Sequence, residues 1–265
     1  MKIKAFWSIL LALVLTFSLA AAEGEDQLAR IQAQGEIVIA TEGAWAPWTY
    51  HDENDVLVGF DVEVAQAIAA KLGVTAKFVE TEWDGIFAGL DSSRYDMAAN
   101  GVEITEERAQ KYDFSTPYGY IRTALIVRGD NDSIASFEDL NGKRTANSIA
   151  STYMTLAESY GATAVGVDTL DQTLSMVLSG RADATLNAEV SFYDYMNVHP
   201  DADLKVVALT DKASQVAIPL RKGEDSASLR AAVDQAIAEL RDEGELTRIS
   251  EKYFGKDITA VPTEE

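Results

Sequence analysis

Apolar and polar positions fall into two stretches of this chain that run through the same order of elements. In the first, Glu36-Ile-Val-Ile-Ala40 is a short β-branched apolar run, the pattern of a buried strand. Phe60 to Leu72 repeats at helical spacing, with Val62, Ala65, Ala69 and Leu72 on one face and Gly73 as its stop. Val74 to Val79 alternates as a strand, Trp83 to Leu90 reads as a short helix, and Asp96 to Ala99 as a strand of small residues. In the second stretch, Lys143 to Ala150 is a strand and turn and Ser151 to Tyr160 a helix closed by Gly161. Ala162 to Val167 (strand), Thr169 to Leu178 (helix) and Asp183 to Leu186 (strand) follow. Lys212 to Pro219 reads as one strand leading into a helical tail. There Leu229, Ala232, Val233, Ala236, Ile237 and Leu240 share a face of a helix over Ser226–Arg241; Gly244 breaks it before a last helix to about Tyr253.

The two stretches also share letters. Arg94-Tyr-Asp96-Met-Ala-Ala-Asn100 closes the first and Arg181-Ala-Asp183-Ala-Thr-Leu-Asn187 the second, each at a similar distance from a glycine, Gly73 or Gly161. Repeated element order and repeated letters predict an α/β protein of two similar lobes with the tail returning to the first. Ligands of open α/β sheets sit beyond the C-terminal ends of strands. Asn100 and Asn187 stand at such ends, one in each lobe, so a cleft between the lobes is the predicted site.

Charge and composition narrow the function. Lys+Arg number 22 against 43 Asp+Glu in 265 residues, a net charge of −21 that repels phosphate backbones and speaks against nucleic acid as a partner. The absence of cysteine excludes disulfides, thiol catalysis and thiolate metal sites. His51 and His199 stand alone, and neither a dinucleotide fingerprint, a phosphate loop nor a serine-nucleophile motif is present. A binding cleft is expected rather than a reaction centre, with no metal or cofactor. Lys2 and Lys4, the apolar run Trp7 to Leu19 and Ala20-Ala21-Ala22 form the three-part pattern of a secretory signal peptide over residues 1–22. The run is too short for a membrane span. The mature protein is expected outside the cytoplasm, periplasmic or secreted, without a lipid-anchoring cysteine.

Several residues carry candidate binding chemistry. Trp45 and Trp83 lie on loops at the same edge and read as binding aromatics, whereas Trp48 reads as core. Arg108, one of few cations near a predicted strand end, suits bidentate capture of a carboxylate. Ser151 and Thr152 open a helix, where free N–H groups attract anions.

Longer motifs now join these residues. Gly59-Phe-Asp-Val-Glu-Val-Ala-Gln-Ala-Ile-Ala69, Asp113-Phe-Ser-Thr-Pro-Tyr118, Asp139-Leu-Asn-Gly-Lys143, Ser179-Gly-Arg-Ala-Asp183 and Glu251-Lys-Tyr-Phe254 together resemble the family 3 extracellular solute-binding proteins. These are the polar-amino-acid receptors of ABC importers, and the resemblance covers essentially the whole mature chain. It implies two Rossmann-like α/β lobes joined by two hinge strands, lobe one at 23–119 plus 216–265 and lobe two at 120–215. It implies a monomeric, non-enzymatic receptor that closes on an amino acid and delivers it to a membrane permease. By that resemblance Arg108 and Thr152 hold the ligand α-carboxylate and Trp45 and Trp83 sandwich its side chain. Gly101 and Glu103 meet the α-ammonium, and Glu42 lines the side-chain pocket. The family's usual ammonium-binding Asp of lobe two falls at Ala188, while Glu103 stands where Ser or Thr is usual. Glu103 is therefore expected to replace the missing carboxylate, helped by Asn187 or Glu189. Thr41-Glu-Gly, Trp83-Asp-Gly and Asn100-x-Val look most like the cystine-binding branch. The same fold resembles cyclohexadienyl dehydratases, with Glu103 or Glu189 as the acid, and it also serves soluble partners of membrane sensors.

Overall fold

Each repeated stretch becomes a sheet flanked by helices in the computed structural model, which describes residues 26–262. The proposed signal peptide lies outside the described residues. The first sheet is parallel, ordered Thr75–Glu80, Glu36–Thr41, Met97–Ala98. The second has five strands, ordered Thr163–Val167, Arg144–Ser148, Ala184–Ala188, Thr123–Arg128, Leu204–Leu209; the last two join antiparallel. The chain passes between the sheets twice, through Gly119–Ile121 and Ser214–Val216, which pair with each other antiparallel. The C-terminal helices Ala227–Asp242 and Glu245–Phe254 return to pack on the first lobe.

The repeated letters have a shared physical job. The Asp96 N–H donates to the Val38 carbonyl at 2.8 Å, and its carboxylate accepts from the Val38 N–H at 2.9 Å. Asp183 does the same to Arg144, whose N–H reaches its carboxylate at 2.8 Å. In each lobe an Asp thus pins the start of the neighbouring parallel strand. Asp96 is buried and also holds Gln27 and Arg30, whereas Asp183 is half-exposed. Asp96→Ala is therefore expected to lower the unfolding free energy by about 2–3 kcal/mol and Asp183→Ala by about 1 kcal/mol, read from urea midpoints.

Some elements depart from the sequence expectations. The Phe60–Lys71 helix buries Phe60, Asp61, Val64 and Ile68 besides Val62, Ala65 and Ala69, because the sheet covers one side and the C-terminal helices the other. The strand expected over Lys212–Pro219 splits into Ser214–Val216 and Pro219–Arg221. Between them the backbone changes partner: Ala217 N–H bonds the Val102 carbonyl, and Ile218 pairs with Ser115. The helices Gln27–Gln34 and Glu189–Val198, the strands Thr123–Arg128 and Leu204–Leu209, and a small meander of Ala44–Trp45, Thr49–His51 and Leu57–Val58 were not anticipated.

The lobes are closed on each other. Trp48 Nε1 donates to Ser191 Oγ at 3.0 Å, Trp83 Nε1 to the Ala150 carbonyl at 3.4 Å and Thr152 Oγ1 to Glu103 Oε1 at 2.8 Å, each across the cleft.

Candidate ligand-binding site

A cavity, partly open to solvent, lies between the lobes. Glu42, Trp45, Trp83, Gly101, Glu103 and Arg108 reach it from lobe one, and Ser151, Thr152 and Asn187 from lobe two.

Arg108 sits in the short helix Glu106–Lys111, whose N-cap Thr105 accepts from the Arg108 N–H at 3.1 Å. Its guanidinium lies over the rings of Trp83 and Phe87, with centroid distances of 5.1 and 5.3 Å. One edge is fixed by Nη1 donating to the Glu103 carbonyl at 3.0 Å. Desolvation lowers the Arg108 pKa from its usual value, with Glu103 opposing the shift; the group keeps its charge. The Glu103 carboxylate is buried and accepts from Thr152, the first residue of the helix Thr152–Ser159. Ser151 caps that helix by accepting from the Met154 N–H at 3.1 Å. A cation and a carboxylate thus stand side by side at the cleft, the complement of a zwitterion.

Trp45 stacks on Trp48 at 5.2 Å and 14°. Trp48 is wholly buried, as expected of a core residue, while the Trp45 Nε1 is buried without a hydrogen-bond partner among the described residues. Gly101 takes φ +57°, and a Cβ there would stand 2.5 Å from the Trp45 ring, so only glycine lets the backbone approach this indole. The Gly101 N–H donates to the fully buried carboxyl of Asp61, which also accepts from Tyr118 Oη at 2.7 Å.

Burial pushes the Asp61 carboxyl up to about 7, and the Glu42 carboxyl likewise to about 7. Both carboxyls hold protons in the folded state that the unfolded chain releases at lower pH. Stability is therefore expected to fall as pH rises from about 4 to about 7. Asp61→Asn is expected to reduce that fall, measured as urea midpoints at both ends of the window.

Two of the expected site residues are placed elsewhere. Asn100 is buried behind the cavity, where its Oδ1 accepts from the Glu42 N–H at 2.8 Å and its amide nitrogen donates to the Glu42 carboxylate. It positions Glu42 rather than lining the cavity. Glu189 pairs with Lys256 at 2.9 Å, outside the cavity, because the strand ends at Ala188 and the helix starting at Glu189 turns the side chain away. Asn187 does line the cavity, and its Oδ1 accepts from the Ala188 N–H at 2.9 Å. Sequence reading missed Tyr153, Ser148, Asp168, Thr169 and Leu170, which complete the lobe-two wall. Tyr153 follows Thr152 directly, and its place in the first turn of a helix facing the cleft was the available signal.

Two α/β lobes with paired crossing strands, closed over a cavity that presents adjacent opposite charges, define a two-lobed solute-binding protein. Residues 37–256 match the model of the bacterial extracellular solute-binding proteins, family 3, and the chain belongs to that family. A probable amino-acid ABC transporter-binding protein of Haemophilus influenzae is 38% identical over 259 residues, which cover 98% of this chain and 100% of that protein. The L-cystine solute receptor of Neisseria gonorrhoeae, in its unliganded open conformation, is 40% identical, with a TM-score of 0.61 over 88% of this chain and 99% of the receptor. An ancestral arginine-binding protein bound to arginine is 35% identical, with a TM-score of 0.78 over 83% of this chain and 99% of its own.

Proposed function

We propose that this protein is the extracytoplasmic substrate-binding receptor of an ABC importer for a polar amino acid, with cystine as the first candidate. The arrangement of Arg108 beside Glu103 supports the reading most directly, since an α-amino acid carries one carboxylate and one ammonium on adjacent bonds. Arg108 and the helix start at Ser151 and Thr152 take the carboxylate, Glu103 the ammonium, and Gly101 brings the backbone close. Trp45 and Trp83 flank the side chain, with Glu42 and Asn187 at the cavity wall. The likeness to a cystine receptor and to a transporter-binding protein supports both ligand and partner. The lobes divide at 23–119 plus 216–265 and 120–215. The protein acts without catalysis, as a monomer, after loss of residues 1–22 and export to the periplasm or medium, and it hands its ligand to a membrane permease in the closed form.

A thermal-shift panel of the common amino acids and L-cystine, confirmed by calorimetry, tests this reading. A ligand that binds only the folded state raises its stability by about 2.7 kcal/mol at 100 times Kd. Stabilisation by one or a few amino acids is the expected result, with L-cystine among them. No shift with any amino acid removes the receptor reading.

A further inference from the structure

The Tyr153 hydroxyl is buried and lines the cavity; the Glu103 carboxylate and the Ala188 N–H stand close to it, but among the described residues none makes a hydrogen bond of good geometry to it. A buried hydroxyl without a partner is unfavourable unless something supplies one. Thr152 of the same wall reaches Glu103 at 2.8 Å, and Arg108, from the facing lobe, is tied to the Glu103 carbonyl at 3.0 Å. The phenol faces the Glu103 carboxylate and the Ala188 amide, and Ala188 brings no polar side chain to that place. We propose that Tyr153 is a ligand-binding residue whose hydroxyl donates to the Glu103 carboxylate and accepts an N–H of the bound amino acid's α-ammonium.

The chemistry selects the ammonium over the carboxylate. A ligand carboxylate beside Glu103 would meet like charge, and Arg108 already offers it a better place. A phenol is both donor and acceptor, so it can bridge a carboxylate and an ammonium. Burial and the Glu103 charge hold the Tyr153 pKa well above its ordinary value, so the phenol keeps the proton it donates. The inference rests on the receptor reading above and deepens it, because it makes the ammonium site a composite of both lobes that forms only on closure.

Tyr153→Phe, which removes one oxygen and keeps the ring, tests it in the mature protein by calorimetry with L-cystine, or with the amino acid that the panel shows to bind. Affinity is expected to fall about tenfold to a hundredfold, with the unliganded melting temperature nearly unchanged. In a Glu103→Gln background the same change is expected to cost less than about threefold, because an ammonium no longer held by the carboxylate is not pressed against the phenol. A purely structural tyrosine would cost the same factor in both backgrounds, and that result overturns the inference. So does unchanged affinity in Tyr153→Phe. Failure of every amino acid to bind the wild-type protein instead overturns the receptor reading, and this inference with it.

Discussion

Arg108→Ala is expected to weaken amino-acid binding by about 100-fold, the equivalent of two charge-assisted hydrogen bonds. The argument is geometric. Trp83 and Phe87 cover the guanidinium, at 5.1 and 5.3 Å, and the Glu103 carbonyl holds one nitrogen, so the remaining edge is left to face a ligand. A guanidinium held in this way has little orientation to lose when a carboxylate arrives. Arg108→Lys is expected to recover only part of the loss, because an ammonium makes no bidentate fork and stacks less well on the two rings. The unliganded protein should lose about 1 kcal/mol from the missing cation–π contacts, a fall of roughly 2–4 °C in Tm. Calorimetry on both variants checks the binding effect and a melt the stability effect. Retention of affinity within about threefold in Arg108→Ala would place the ligand carboxylate elsewhere.

The second large effect is expected from Glu103→Gln, a drop of about tenfold to a hundredfold in affinity. The change conserves shape, and the Gln oxygen can still accept from Thr152, so the lobes keep their contact across the cleft. What it removes is the charge. A ligand ammonium desolvated in this cavity would then lack a counter-ion, which is costly. The deficit should appear for amino acids and shrink for analogues that lack the ammonium. Unchanged affinity in Glu103→Gln would mean that the ammonium stays solvated or is held elsewhere. The two variants probe opposite ends of the same zwitterion, so their losses should differ in which analogues they spare.

Much of this architecture was legible in the chain. The period of apolar positions located both βαβ stretches. The doubled Arg-x-Asp-x-x-x-Asn pattern marked corresponding strand ends, and the structure supplies its reason in the two carboxylates that pin Val38 and Arg144. Segments whose pairing is non-local were harder to read. Thr123–Arg128 and Leu204–Leu209 lie far apart in sequence and find each other only in the second sheet. The meander that carries Trp45 has strands of two or three residues, too short for any period. Among the candidate site residues, Ser151 and Thr152 were readable from their place at a helix start, whereas Gly101, Glu103 and Glu42 came from the family resemblance.

The sequence by itself determined that Arg108 stands near a strand end and that Ser151 and Thr152 open a helix, because capping and periodicity are local properties; the rest of the zwitterion site came from likeness to a family. Only the tertiary structure decided which of those side chains share one cavity. Glu189 stands two residues from Asn187, yet a strand ends and a helix begins between them, so one faces the cleft and the other pairs with Lys256. Asn100 spends its amide on Glu42 across 58 residues of chain, and Tyr153 meets Glu103 only because the lobes close. Side-chain direction at an element boundary and contact between distant segments depend on packing of the whole chain, which no window of sequence contains.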